Sequence, residues 1–168
     1  MREIILAGLL LSGLPALAQV PSAAESTLPS PTASVSVLDT ENGFRTYRLG
    51  TPVKEYPELK RISNDLYESP KEALLVGEVP LTSLRFTSYK ERLASIVFGT
   101  RGTDKIEQLL ATFTRAYGPS TTTSAMLQKW VGKSVTLYVT RVGAGDQEVG
   151  IVIMKSNELA AAQKAGEN

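Results

Sequence analysis

Residues 84–99 read LRFTSYKERLASIVFG, and this stretch decides the fold. Two runs rich in large apolar residues, 84–89 and 92–99, are separated only by Lys90-Glu91. A two-residue connection joins antiparallel neighbours, because parallel strands need a crossover of a dozen or more residues. The stretch therefore predicts a β-hairpin.

The residues that follow the hairpin predict the main helix. Residues 99–102 are expected to form a loop, and Thr103 or Asp104 to cap the helix, with Glu107 placed to reach back to Asp104. Gly118-Pro119 ends it. Apolar residues recur between these limits with helical spacing, at Ile106, Leu109, Leu110, Phe113 and Tyr117.

Three further strands are expected, at about 125–131, 134–142 and 148–155, followed by a short helix capped by Ser156 or Asn157. In the second of these strands, apolar residues alternate with Thr and Tyr, which is typical of an antiparallel sheet with one wet face. The order β-β-α-β-β-β predicts an α+β fold, in which one main helix packs on one face of a largely antiparallel sheet.

The part of the domain before this core is harder to interpret. Residues 44–49 alternate large apolar residues with Arg and Thr, so a short strand is expected there. Thr51 and Pro52 are placed to cap and open one helical turn, which Pro57 stops from growing. Residues 69–76 fit either a helical turn or a strand.

Two strands carry apolar residues on both sides, at 92–99 and 148–155. Such strands are buried on both faces of a sheet, and the single main helix covers only one. Either the segment 44–81 or a partner protein must cover part of the second face. The segment is favoured, because its own aromatic residues also need burial.

The amino terminus has the order of a secretory signal peptide: a charged start, an apolar run at 4–14, and Ala16-Leu17-Ala18. Residues 1–18 are therefore predicted to be a cleaved signal peptide, and the Pro-, Ser-, Thr- and Ala-rich residues 19–35 a disordered tether. Residues 36–168 are expected to form a single globular domain. The predicted location is periplasmic or secreted, with neither a lipid anchor nor a transmembrane segment in the mature protein.

Composition excludes several classes of function. The 168 residues include 18 Lys and Arg and 17 Asp and Glu, so the formal net charge is 18 − 17 = +1. That balance argues against nucleic acid as a partner. The chain has no cysteine and no histidine. Disulfides, thiol nucleophiles, imidazole bases and His or Cys metal sites are therefore excluded, and we expect no cofactor and no metal.

Two sets of residues are candidates for binding. Strand alternation predicts a surface of Tyr, Thr and Arg side chains that could recognise a ligand or partner. Its members are Arg85, Thr87, Tyr89, Thr136, Tyr138 and Thr140. The second set, Arg101, Gly102 and Thr103, leads into a helix amino terminus, where backbone N–H groups favour an anion. For both sets the alternative is ordinary structure, a wet sheet face or a glycine turn.

Residues 80–156 resemble a recurring pattern of small, uncharacterised bacterial exported proteins. The residues that carry the resemblance lie at 81–86, 93–98, 117–119 and 130–132. The resemblance implies an exported α+β domain and supplies no catalytic residues.

The function expected from the sequence is that of an exported, non-enzymatic binding or protein-interaction module. Its partner would be a protein or a small molecule in the cell envelope or outside the cell. The alternative is a small secreted hydrolase or hydrolase inhibitor that uses carboxylates of residues 44–81, such as Glu55, Glu58 and Glu72.

Overall fold

The computed structural model describes residues 34–124 and 126–166. The predicted signal peptide and the predicted tether up to residue 33 lie outside these residues. Helix α1 begins at Val35, and the Ser34 side chain caps it by accepting a hydrogen bond from the Ser36 N–H. Ser34 and Val35, which the sequence placed in the tether, therefore belong to ordered structure.

The fold is α+β, as predicted. An eight-stranded sheet, antiparallel at every pairing, has the strand order β3-β4-β7-β8-β12-β11-β10-β9. Its strands are β3 (Lys60–Ser63), β4 (Leu66–Glu68), β7 (Ser83–Tyr89), β8 (Arg92–Arg101), β9 (Thr122–Thr123), β10 (Leu127–Val131), β11 (Val135–Val142) and β12 (Val149–Ser156). The described residues also contain α1 (Val35–Glu41), α2 (Thr103–Tyr117) and α3 (Asn157–Gly166). Two small hairpins pair β1 (Gly43–Phe44) with β2 (Tyr47–Arg48) and β5 (Leu75–Val76) with β6 (Val79–Pro80).

The predicted hairpin is β7-β8. Lys90 and Glu91 both have positive φ, at 49° and 60°, as a two-residue type I′ turn requires. The loop expected at 99–102 is wrong, because β8 continues to Arg101, which pairs with Val149 of β12. The long pairing with β12 keeps these residues extended, and Gly102, with φ 95°, makes the change to α2.

The apolar stripe of α2 is buried as predicted, from Ile106 to Tyr117. The predicted capping box is wrong: Gly102 occupies the cap position without a side-chain hydrogen bond, and Glu107 pairs with Arg141 instead. Gly118 ends the helix with φ 80°, and its carbonyl accepts a hydrogen bond of 2.8 Å from the buried Trp130 indole.

The irregular part contains more turns than expected. Residues 43–48 form a tight hairpin of β1 (Gly43–Phe44) and β2 (Tyr47–Arg48), instead of one strand, because Arg45 adopts φ 55° and reverses the chain. The single helical turn is present as a 3₁₀ turn at Val53–Glu55, without a side-chain cap. Residues 69–76 resolve into a turn followed by β5 (Leu75–Val76), which pairs with β6 (Val79–Pro80).

The segment expected to cover the second face of the sheet packs on the same face as α2. Phe44 lies 4.9 Å from Phe98, whose ring also contacts Phe113 of α2. Tyr47 lies 4.5 Å from Phe86. The expectation is therefore wrong, and the reason is width. An eight-stranded sheet is roughly 35 Å across, whereas one helix covers about 10 Å, so the core side needs a second cover.

Only α3 packs on the second face among the described residues. The Ser156 hydroxyl accepts the Leu159 N–H and caps the helix, and Leu159 is buried. The Tyr89 hydroxyl donates to the Ala162 carbonyl at 3.3 Å, and Arg92 pairs with Glu158 at 2.9 Å. Helix α3 is thus held over the end of this face where the β7-β8 turn lies.

Asp39 fastens α1 to the turn between β10 and β11. Its carboxylate accepts the backbone N–H groups of Lys133, Ser134 and Val135 at 2.7, 2.7 and 3.1 Å. Partial burial raises the pKa of this carboxyl, but the three N–H donors and the Lys133 ammonium outweigh that effect and lower the pKa below its usual value. A Cβ on Gly132 would lie 2.4 Å from the carboxylate, so this close approach requires glycine.

We expect Asp39→Ala to lower the free energy of unfolding by about 1–3 kcal/mol, because three backbone N–H groups lose a charged acceptor. Urea denaturation at pH 7 of the wild type and the variant measures this difference in the free energy of unfolding. Since the folded-state pKa is depressed, the contribution is complete above the unfolded pKa and is lost as the pH falls. The stability difference between wild type and Asp39→Asn should shrink as the pH falls below the unfolded pKa of 3.8 and through the lower folded-state pKa. A difference that does not change with pH would contradict this account.

The β7-β8 turn predicts a stabilising change. Lys90→Asn with Glu91→Gly should raise the free energy of unfolding by about 1 kcal/mol, because Asn and Gly adopt positive φ more readily. Urea midpoints of the wild type and the double variant test this. Lys71→Asn is the control, since Lys71 is exposed and lacks positive φ. An unchanged urea midpoint would contradict the view that the positive φ angles of Lys90 and Glu91 cost stability.

Candidate functional site

The second face of the sheet is the main candidate surface, and we call it the open face. It lies on five neighbouring strands, which in sheet order are β7, β8, β12, β11 and β10. It comprises side chains that alternate along these strands with the core residues. The residues that define it are Arg85 and Thr87, Ser95 and Val97, Ile151, Ile153 and Lys155, Thr136, Tyr138 and Thr140, and Lys129.

The most distinctive feature of the open face is a row of five residues that crosses its five strands. The register places Arg85, Val97, Ile153, Tyr138 and Lys129 opposite one another on five neighbouring strands. The row therefore begins and ends with a cation and has an aliphatic centre. Four strand spacings make it roughly 19 Å long. Its two aliphatic residues remain partly exposed.

The aromatic ring of the row is bordered by cations. The ammonium groups of Lys129 and Lys155 lie 5.4 Å and 4.9 Å from the centre of the Tyr138 ring, within cation–π range. Arg85 supplies a third cation, and Glu68 of β4 lies opposite it. The open face thus combines a partly exposed apolar centre with three cations, and the Glu68 carboxylate borders it.

The structure brings the six predicted surface residues onto one face but does not group them. Arg85 and Thr87 lie on β7, whereas Thr136, Tyr138 and Thr140 lie on β11, with β8 and β12 between the two groups. Two of the six are engaged by α3. Tyr89 bonds Ala162, and Thr136 is 4% exposed and donates to the Asn157 side chain at 2.6 Å.

Sequence reasoning did not assign Val97, Ile151 and Ile153 to this surface, although they form its centre. The signal was present, because β8 and β12 were recognised as apolar on both sides. What the sequence did not show is that the 44–81 segment packs elsewhere.

A cleft of about 380 Å³ lies between α3 and the open face. Its floor includes Ile153 and the hydroxyls of Thr87 and Ser95, which are hydrogen-bonded to each other at 2.6 Å. Ala160 of α3 and Lys155 of β12 stand on its walls. The cleft is continuous with the row described above, since both include Ile153.

The predicted anion site at the start of α2 has a carboxylate of the chain itself beside it. The Thr103 hydroxyl donates to the Glu148 carboxylate at 2.8 Å, and Arg141 donates to the same carboxylate at 2.9 and 3.0 Å. The hydrogen bond from Arg141 and then that from Thr103 lower the pKa of Glu148, and they outweigh desolvation. Arg101 donates to the Gln147 side chain at 3.1 Å, and Gly102 caps the helix.

Of the carboxylates considered for hydrolysis, Glu58 and Glu72 both lie near the Tyr47 hydroxyl. Glu72 forms an ion pair with Arg45, and Glu55 is exposed. Glu58 lies near the Tyr47 hydroxyl, which bonds Ser69 at 3.1 Å. Burial raises the pKa of Tyr47 to about 12; the hydrogen bond to Ser69 opposes this rise, and the Glu58 and Glu72 carboxylates add to it. In the described ranges, no group of three or more Asp and Glu is arranged to hold a metal ion.

No helix within residues 34–124 and 126–166 has both the length and the apolar character needed to cross a bilayer. No protein-family model matches the sequence, and comparison with curated proteins and with solved structures finds no significant match.

We expect Glu148→Ala to lower the melting temperature, because it leaves Arg141 and Thr103 without their shared acceptor. Glu55→Ala makes the same side-chain change at an exposed position and should leave the melting temperature nearly unchanged. Differential scanning calorimetry of both variants measures the contrast. Equal effects would show that the Glu148 contacts do not stabilise the domain.

Proposed function

We propose that the chain is an exported, non-enzymatic binding or protein-interaction module whose working surface is the open face. One observation carries the proposal: Val97, Ile151 and Ile153, on the two strands at the centre of the sheet, remain partly exposed on the side away from α2. Central strands of a sheet with cover on both sides bury such residues, and here the cover on this side is α3 at one end.

The free energy gained by burying apolar surface favours a bound partner over an open face that contacts only water. Apolar surface removed from water contributes about 25 cal/mol per Å², so covering three aliphatic side chains yields useful binding free energy. The surrounding cations and Tyr138 supply the polar and aromatic groups that are common around the centre of protein interfaces. This composition suits a protein partner or a small molecule with an apolar portion.

Export is supported by the sequence. The charged start, the apolar run at 4–14 and the Ala16-Leu17-Ala18 triplet have the order and spacing of a secretory signal. We place the mature protein in the periplasm or outside the cell, where its partner would also be found.

The test compares two single substitutions that introduce the same charge. Ile153→Glu alters the centre of the open face. Leu74→Glu alters an apolar side chain that is 43% exposed and lies outside the open face. The wild type and both variants, each checked by its melting temperature, are used to capture partners from an envelope fraction and from medium of the source cells. Captured material is identified by mass spectrometry.

We expect one partner to be recovered by the wild type and Leu74→Glu, and to be lost with Ile153→Glu. Direct binding of the purified partner, measured by calorimetry, should show the same order. Equal binding of the partner by both variants would show that the binding site does not lie on the open face. A wild type that is strictly monomeric, captures nothing and shows no ligand-induced change in melting temperature would overturn the proposal.

A further inference from the structure

A second groove, of about 550 Å³, lies at the β7-β8 turn on the other side of the sheet. Its wall includes Tyr67, which pairs with Phe86, and the Phe86 side chain points into the core. The groove therefore lies on the side opposite the open face. Its apolar lining consists of Pro52, Val53, Tyr56, Pro57, Leu59 and Tyr67.

Backbone contacts fix the shape of this groove. The Val53 N–H donates to the Glu91 carbonyl at 2.8 Å, and Pro52 forms a β-bridge with Arg92. These contacts hold the 3₁₀ turn against the β7-β8 turn. Pro57, two residues after the end of the turn, prevents it from extending into a longer helix.

Both tyrosine rings of the groove are held in place by their hydroxyls. The Tyr56 hydroxyl accepts the Arg48 N–H at 2.7 Å. The Tyr67 hydroxyl accepts from Nε and Nη2 of Arg61 at 3.2 and 2.9 Å. A ligand would therefore meet rings that are already ordered, so binding would lose little side-chain entropy.

The rim of the groove is positively charged. Its cations are Lys54, Arg61, Lys90 and Arg92, and its acid is Glu91. Arg92 is engaged by Glu158 and by the Gly50 carbonyl, and the Lys90 ammonium lies 5.4 Å from the centre of the Tyr89 ring. Asp65 as well as Glu91 lies near Arg61, which leaves three cations against two carboxylates. Arg61 is oriented by Tyr67, and its Nη1 has no hydrogen-bond partner among the residues that the structure describes.

We propose that this groove binds a small organic anion that has a flat apolar body and a carboxylate. The body lies against the partly exposed Tyr56, and the carboxylate pairs with Arg61 at the rim. The volume falls in the range of roughly 300–1,000 Å³ that small-molecule sites occupy. The excess of cations disfavours a positively charged ligand, and a neutral one leaves the rim charges uncompensated. This site does not depend on the function proposed for the open face.

The experiment uses two probes of one shape and different charge, 3-phenylpropionate and 3-phenylpropionamide. Each is titrated into the ¹⁵N-labelled protein and followed through the backbone amide shifts. The carboxylate should produce saturable shifts centred on Val53, Tyr56 and Tyr67, and the neutral amide should bind about tenfold more weakly, because a charged hydrogen bond is lost. Equal affinities, shifts centred elsewhere, or no saturation would overturn the proposal.

Two substitutions that each remove one positive charge distinguish a specific contact with Arg61 from general electrostatic attraction of the probe. Arg61→Gln should weaken 3-phenylpropionate binding about tenfold, by loss of the charged donor. Lys71→Gln removes one positive charge from an exposed position that does not line the groove, and it should leave binding unchanged. Equal weakening by both would show that net charge alone attracts the probe. Arg61 is exposed, so the unchanged spectrum of Arg61→Gln outside the groove reports that the variant is folded.

Discussion

The pairing of β8 with β12 is the interaction on which the rest of the structure depends. Residues 95–101 pair with 149–155, and the paired residues are 48 to 60 positions apart in the sequence. This pairing joins the β7-β8 hairpin to the strands that follow α2. Gly150 makes the arrangement possible on the core side. A Cβ there would lie 2.8 Å from the Ile106 side chain, so α2 approaches the sheet closely because β12 has no side chain at that point. Among the described residues, it is the only strand pairing that joins the two halves of the sheet.

Local chemistry made much of the fold predictable. The β7-β8 turn, the apolar stripe of α2 and its end at Gly118 follow from chain spacing alone, and each is confirmed. The errors share a different cause. Residues 99–101, assigned to a loop, are strand because β12 pairs with them. Glu107 does not bond the start of the helix because it forms an ion pair with Arg141. Long-range partners decide those positions, and one sequence does not display them.

The candidate surfaces divide in the same way. Strand alternation correctly placed Arg85, Thr87, Tyr138 and Thr140 on one side of the sheet. It did not reveal that two strands separate them, because strand order depends on pairings between distant segments. The groove at the β7-β8 turn was not predicted at all. Its tyrosines and Arg61 are 5 to 11 positions apart in an irregular segment. Only the fold of that segment brings them together to line one groove.

The outer edge of the sheet at β3 has a consequence for behaviour at high concentration. All four of its residues are exposed, including Ile62 at 45%, and such an edge can template the addition of a strand from another molecule. Here Lys60 and Arg61 carry like charges along the edge, and the register shifts between Arg61 and Ser63. Both features make edge-to-edge growth unfavourable, so the protein should resist fibrous aggregation without a disulfide to restrain it.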